Sequence, residues 1–339
     1  MNPAPPTKAL RAGFAKRIAE YALDLDDTLA DAARKIIGKQ VSRMKEHAPA
    51  TKRGDDPEAL HDMRVATRRL RFALRLFAPW MPSGRADRLR GELRRTALVL
   101  GRVRDLDVFL MELPAMMDRA SLPQEQQAGV TSPLKRKRGQ GRAVLVRSLK
   151  SKRHRRMTRA LERMPMISEA QIPAKEEAGR MIREAGERIR DFAKKADFTK
   201  REDLHRLRIL FKRLRYTCEY FRDLYGPALD GAIAHFIRFQ DCLGKYQDGV
   251  VGSAVLESLV KARSPQTVDR SPQQADRRPQ TIDRSNAGNN KSSPDISDAI
   301  TKLQEVLRQK RGLQREEFSE LWAEFPLIMR AFFKLVGRP

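Results

Sequence analysis

Basic and histidine side chains recur in one segment of this chain at a spacing suited to binding an extended anion. In the segment 61–77, HDMRVATRRLRFALRLF, five such residues follow the spacing i, i+3, i+7, i+10 and i+14. At 3.6 residues per turn this spacing puts them on one line of a helix, about 21 Å long. They are His61, Arg64, Arg68, Arg71 and Arg75. Because like charges crowded on one line repel each other, we expect an anion to lie against it.

A second segment, 205–221, repeats the first in altered form as HRLRILFKRLRYTCEYF. Its matching positions are His205, Arg208, Lys212 and Arg215, while Glu219 stands where Arg75 predicts a cation. Each segment also has an apolar face, which predicts that both are amphipathic helices packed on a core. The apolar faces are Met63, Ala66, Leu70, Leu74 and Phe77 in the first segment, and Leu207, Leu210, Leu214, Cys218 and Phe221 in the second.

A further pair of matching segments follows at nearly the same distance from each histidine. Leu100 to Asp105 aligns with Leu243 to Asp248, which together with the first pair indicates an internal duplication. In these segments the basic pairs Arg95 with Arg102 and Arg238 with Lys245 are each seven residues apart, hence on one face of a helix. They could form facing walls of a groove that holds a flexible polyanion. The densely basic fourth helix adds two further candidates, Arg153 and Arg156.

The net charge of the chain favours a polyanionic partner. Its 339 residues include 69 Lys and Arg against 43 Asp and Glu, a formal charge of +26. Such an excess is typical of proteins that bind nucleic acid, polyphosphate or an anionic membrane surface. Cys218 and Cys242 form no metal-type pair, and two cysteines argue against a disulfide framework. The lack of such a framework favours a reducing cytoplasm. No apolar run resembles a signal peptide or a membrane span, so we expect a soluble cytoplasmic protein with no membrane partner.

The apolar periodicity predicts an all-α fold in which each half contributes four helices. We assign 1–20 to an N-terminal lead, 21–165 to the first half, 173–336 to the second half, and 263–294 to a disordered insert rich in Ser, Pro, Gln, Asp and Arg. In the first half we predict helices at 23–47, from Pro57 to Trp80, from about Ala86 with an interruption near Leu100-Gly101, and at 134–164. In the second half we predict them at 178–196, at 201–225, around FQDCLGKYQDGVV, and at 296–336.

Each basic or histidine position also has an ordinary structural interpretation. A run of charges is usually a solvated, salt-bridged face, but here the positions three and four residues away are again basic until Glu219. A lone helical histidine more often packs or donates a hydrogen bond than binds metal, and neighbouring cations disfavour a metal ion. We expect His61 and His205 to donate to phosphate and to bind more strongly once protonated near pH ~6.5. We expect Asp105 and Asp248 to orient an arginine or cap a helix, and we expect no catalytic residue, metal site or cofactor.

The motifs HDMRVATRRLR and LGRVRDLD in the first half, with LHRLRILFKRLRY and FQDCLGKYQD in the second, resemble the CHAD family, the conserved histidine α-helical domain. The resemblance covers about residues 20 to 336. It implies two four-helix bundles related by a pseudo-two-fold axis, with a basic central channel that binds inorganic polyphosphate without catalysis. The family's basic and histidine positions fall on His61, Arg64, Arg68, Arg71, His205, Arg208, Lys212 and Arg215. Family members often accompany a CYTH triphosphatase domain, but no ExExK motif is present, so we expect a stand-alone binding module.

We therefore expect a polyphosphate-binding protein that associates with polyphosphate granules and with granule proteins. Nucleic-acid binding is the leading alternative, because the charge suits it, but aromatic residues are 6% of the chain and form no stacking platform. A metal-dependent polyphosphatase is a further alternative, which would need a carboxylate-bound metal that the sequence does not supply. Competition between long-chain polyphosphate and DNA would separate the first two interpretations.

Overall fold

The structure is a computed structural model, which describes residues 21–165, 171–261 and 296–337. The described residues form helices and turns without a β-strand, so the all-α prediction is confirmed. The predicted lead at 1–20 and the predicted insert at 263–294 lie outside the described residues. The long helices in this part of the chain are α1 (Leu29–Arg53), α2 (Pro57–Leu76), α3 (Arg85–Arg119), α4 (Gln124–Lys150), α5 (Lys152–Glu162), α6 (Ala174–Ala193), α7 (Arg201–Tyr220), α8 (Asp230–Lys261) and α9 (Ser297–Leu335).

Capping residues set the bounds of α1, which differ from the predicted 23–47. The helix begins after Thr28 because Thr28 and Asp31 form a capping box that satisfies two free N–H groups. It continues through Pro49 to Arg53 because two hydrogen bonds stabilise its last turn. The Thr51 hydroxyl donates to the Ala59 carbonyl at 3.1 Å, and Gly54, in the left-handed region at φ 80°, donates to the Ala50 carbonyl.

The positions of the breaks in the third and fourth predicted helices were wrong. Helix α3 is continuous, because the buried residues Leu100 and Val103 flank Gly101 on one core-facing stripe. The predicted fourth helix at 134–164 is instead two helices, α4 and α5, divided at Ser151. The Ser151 side chain accepts from the His154 N–H at 3.1 Å and donates to the Ser148 carbonyl at 2.7 Å, so it caps both helices. The first half therefore has five helices rather than four.

Helices α2 and α7 carry the two basic segments and pack by the predicted apolar faces. Every predicted apolar residue of α2 is buried, as are those of α7 except the half-buried Leu210. Pro57 starts α2, with Asp56 accepting from the Glu58 N–H at 2.8 Å. Helix α7 ends at Tyr220 rather than Tyr225, and a four-residue helical turn, Arg222–Tyr225, follows it.

Aligned positions of the two segments meet each other where α2 and α7 pack. The rings of Phe72 and Tyr216 lie 5.9 Å apart, and those of Phe77 and Phe221 lie 6.2 Å apart. The matching residues therefore meet at two levels, around Phe72 and around Phe77. This contact also brings basic residues of α2 close to basic residues of α7.

A second, smaller apolar core joins the two halves of the chain. It lies where the ends of α3 and α8 meet the starts of α4 and α9. Phe109 of α3 packs directly on α8, because a Cβ at Gly252 would lie 3.0 Å from the Phe109 ring and 3.2 Å from Leu307. This core holds the first half of the chain against the second. None of the described helices is long and apolar enough to cross a bilayer.

Candidate functional site

Four cationic side chains lie between helices α2 and α7. They are Arg64 and Arg68 of α2 and Arg208 and Lys212 of α7, and we call them the central cluster. All four are half-buried. Each one repels the other three, since every pair among them lies within electrostatic range. The sequence predicted all four residues, and the structure brings them together.

Burial and mutual repulsion shift the protonation of the central cluster. Desolvation, followed by repulsion from Arg68 and Arg208, lowers the pKa of Lys212 to about 6. Desolvation also lowers the pKa of the Arg64 and Arg208 guanidinium groups. An anion among these side chains would replace the lost solvation and cancel the repulsion. The cluster is therefore arranged to be stabilised by a negatively charged ligand.

Few of the described groups compensate the charge of the central cluster. The Nη2 atom of Arg64 lies 3.5 Å from Oδ1 of Asp105, and Arg68 Nε donates to the Tyr216 hydroxyl at 3.0 Å. Asp248 attracts Arg208 from a greater distance. Burial raises the pKa of both Asp105 and Asp248, so the same desolvation weakens these carboxylates as counter-charges. Nε of Arg208 is buried and has no hydrogen-bond partner in the described part of the chain.

The two predicted histidines lie near the central cluster in different environments. His61 is half-buried, and desolvation, followed by repulsion from Arg104, lowers its pKa from the usual 6.5. His205 is exposed, with Nδ1 at 2.9 Å from Oε1 of Gln247. At neutral pH, His61 can therefore offer a neutral ring to a ligand, and the protonation that we expected near pH ~6.5 shifts lower.

Arg215 does not add an unpaired cation to the basic face of α7, because it pairs with Glu219. Its Nε atom lies 2.9 Å from Oε1 of Glu219, whose Oε2 atom lies 2.7 Å from Nη2 of Arg69. Glu219 is fully buried and Arg69 is 3% exposed, so the carboxylate neutralises a charge in the core. The guanidinium groups of Arg69 and Arg215 both lie over the Tyr216 ring. This network gives a structural reason for an acidic residue in place of a cation.

A second set of arginines lies farther along α2 and α7, and we call it the outer arginine cluster. Arg71 repels Arg90 and Arg94 of α3. Arg213 repels Arg75, Arg90 and Arg188. Desolvation is the largest cause of the lowered pKa of both Arg71 and Arg213. The members of this cluster are Arg71, Arg75, Arg90, Arg94, Arg188 and Arg213.

Sequence reasoning found only Arg71 and Arg75 as site residues of the outer arginine cluster. The dense run RLRGELRR in α3 was a visible signal for Arg90 and Arg94. Arg188 belongs to α6, and nothing in its spacing connected it to the basic segments. The Tyr216 hydroxyl was also missed, although its alignment with Phe72 marked it as the polar member of an aromatic pair.

The remaining predicted positions lie outside both clusters. Most of them contact carboxylates: Arg95 and Arg153 both bind Glu92, Arg238 lies 3.4 Å from Glu324, and Lys245 lies 3.8 Å from Glu317. Arg153 and Arg156 line a cleft of about 960 Å³ between the start of α3 and α5. Arg102 lines a different cleft, between α3, α4 and α8. The described residues contain no group of three or more His, Cys, Asp or Glu that could hold a metal ion.

Comparison with solved structures supports the fold. The crystal structure of the CHAD domain from the plant Ricinus communis superposes with a TM-score of 0.69 at 22% identity, covering 89% of this chain and 93% of that one. PptA from Streptomyces chartreusis gives a TM-score of 0.61 at 16% identity, covering 88% of this chain and all of that one. At these identities the likeness establishes the architecture alone.

Sequence relatives and the family model agree with this likeness. The uncharacterized proteins Rv2226 and MT2285 of two Mycobacterium tuberculosis strains are each 29% identical over 234 residues. The match takes in 66% of this chain but 44% of each relative, so the chain spans less than half the length of the curated relatives it matches. The model of the CHAD domain matches residues 35–257, which is more than half of the chain. The chain therefore belongs to the CHAD domain family.

Proposed function

We propose that this protein binds inorganic polyphosphate without catalysis, along the basic space between α2 and α7. The observation that carries the proposal is the central cluster. Four half-buried cations from two helices have a single ion pair within the described residues, between Arg64 and Asp105. Such a cluster is costly without an anion, because each half-buried charge loses hydration and lies close to others of the same sign.

The length of the basic surface favours a polymer over a single phosphate. From Arg64 in the central cluster to Arg75 in the outer arginine cluster, α2 rises by about 16 Å at 1.5 Å per residue. A linear polyanion can contact both clusters at once, whereas one phosphate can occupy only one of them. Much of the affinity would come from release of counterions, so it should fall steeply with added salt. Polyphosphate is also the ligand that the resemblance to the CHAD family implies.

The same proposal includes the place of the protein in the cell. A chain of net charge +26 that binds polyphosphate should collect where that polymer is dense, which is the polyphosphate granule in the cytoplasm. Granule proteins are then its neighbours. A fluorescent fusion should overlap with stained granules and become diffuse when the central cluster is altered. A fusion that remains diffuse in granule-containing cells contradicts this localisation.

The binding proposal is tested by a double charge reversal. Arg64→Glu with Arg208→Glu should weaken binding of long-chain polyphosphate at least a hundredfold, because each change places a carboxylate against the ligand. The matched control is Lys194→Glu with Arg308→Glu, which makes the same change in net charge at exposed sites that pair with Asp191 and Glu305. The control should stay within about threefold of wild type, since distant surface charges are screened.

Three further measurements complete the test of this proposal and its alternatives. Helicity by circular dichroism should be unchanged in the double variant, because neither arginine belongs to the apolar faces. Long-chain polyphosphate should displace DNA of equal charge at physiological salt, and the opposite result would favour a nucleic-acid ligand. Release of phosphate on addition of magnesium or manganese would contradict the absence of catalysis and revive the polyphosphatase alternative.

A further inference from the structure

A cleft of about 590 Å³ opens between helices α3, α4 and α8, beside the central cluster. Five valines contribute to its lining, and we call it the valine cleft: Val99, Val144, Val250, Val251 and Val255. Its volume is within the range of about 300–1,000 Å³ that is usual for small-molecule sites. Val144, one of these valines, is 44% exposed. The cleft therefore presents apolar surface that the described residues do not cover.

Three cations lie among these apolar walls. Arg102 of α3, Lys137 of α4 and Arg201 of α7 all line the cleft. Lys137 Nζ donates to the Ser258 hydroxyl at 2.8 Å and so joins α4 to α8 across it. Neither Arg102 nor Arg201 forms an ion pair with another described residue. The arginines are thus available to an anionic group at the edge of an apolar surface.

We infer that the valine cleft binds a small amphiphilic anion, an apolar chain that carries one carboxylate or phosphate head group. The apolar chain would cover the valines and remove their surface from water. The head group would contact Arg102 and Arg201, whose planar guanidinium groups suit either a carboxylate or a phosphate. A bare polyphosphate chain would gain nothing from the valines, and a neutral chain would gain nothing from the arginines. The combination selects a ligand with both parts.

The valine cleft is adjacent to the central cluster but does not depend on it. Asp105 lines the cleft and also contacts Arg64, and Gln247 lines it and contacts His205. A ligand in the cleft would therefore touch the neighbours of the central cluster without touching its four cations. For this reason the inference can be tested without polyphosphate.

Isothermal titration of the full chain with dodecyl phosphate and with dodecanoate, below their micelle concentrations, tests the inference. At least one of the two should bind with a stoichiometry of one, and the tighter of them assigns the head group. Dodecyltrimethylammonium, which has the same chain and the opposite charge, should bind at least tenfold more weakly. Equal binding of the cationic amphiphile would overturn the inference, since the arginines would then play no part.

Matched variants locate the ligand. Val144→Asn should weaken binding of the tighter anion about tenfold by removing an apolar contact, and Arg102→Gln should weaken it by a similar factor. Leu98→Asn is the control, because Leu98 is 54% exposed on the same helix as Arg102 and does not line the cleft. Binding should survive the double variant at Arg64 and Arg208. If the double variant at Arg64 and Arg208 lost binding of the amphiphile, or if Val144→Asn bound it as tightly as wild type, the amphiphile would be assigned to another surface.

Discussion

Lys212 should make polyphosphate binding depend on pH, because its pKa lies far below the ordinary value for a lysine. With a pKa of about 6 in the free protein, its amine is neutral at about pH 7.5. A polyanion placed among the four cations favours the charged form, which raises the pKa of Lys212 toward or above its ordinary 10.5. Binding at this pH should therefore take up close to one proton per site.

The free energy needed to protonate Lys212 follows from the difference between the pH and its pKa. Protonating Lys212 at about pH 7.5 costs about 2 kcal/mol, since each unit is worth about 1.4 kcal/mol. Because the complex holds one more proton than the free protein, affinity should fall as pH rises, by about tenfold per unit between roughly pH 6.5 and 8.5.

The assay is calorimetric titration of long-chain polyphosphate, in two buffers with different ionisation enthalpies, at several pH values. Wild type should show proton uptake and the falling affinity. Lys212→Arg retains a cation at every pH used, so its affinity should be nearly independent of pH. Lys212→Met should also give a flat profile, at the affinity that wild type reaches at high pH. A wild-type profile as flat as that of Lys212→Arg, with no proton uptake, would refute the reasoning.

Two further predictions concern stability. Glu219→Gln should lower the free energy of unfolding by about 3–5 kcal/mol, because it leaves the buried Arg69 charge without its carboxylate, and thermal denaturation should show a correspondingly lower Tm. An unchanged Tm would mean that Arg69 is compensated elsewhere. Gly252→Val should cost about 1–3 kcal/mol, because the new side chain overlaps Phe109, whereas Gly244→Ala should be neutral or stabilising, because a Cβ there meets nothing within 4 Å. Chemical denaturation of the pair measures both changes, and similar values for the two would contradict the packing described.

The sequence predicted the parts of the fold that depend on periodicity. The apolar faces of α2 and α7 were correct because the same 3.6-residue period determines which side of a helix is buried. The helix ends were less accurate, because they depend on caps such as Thr28 and Ser151, whose side chains compete with the continued helix. The capping signal at Thr28 and Asp31 was present in the sequence and outweighed the apolar residues before it.

The central cluster was predictable because duplicated spacing placed its four cations on matching faces. The pairing of Arg215 with Glu219 was not predictable from spacing. Glu219 also neutralises Arg69, and that contact joins two helices far apart in sequence. The same reason applies to Arg90, Arg94 and Arg188, which reach the basic surface only through the packing of α3 and α6. Spacing within one helix cannot reveal which other helix will lie beside it.

The smaller core where α3 and α4 meet α8 and α9 bears on how a ligand enters. Moving the halves apart would expose the side chains around Phe109 and Leu307 to water, at about 25 cal/mol per Å² of apolar surface. We therefore expect the width of the basic space to be the same before and after binding. For the polyphosphate binding proposed above, we then expect the entropy lost on association to be lost by the polymer rather than by the protein.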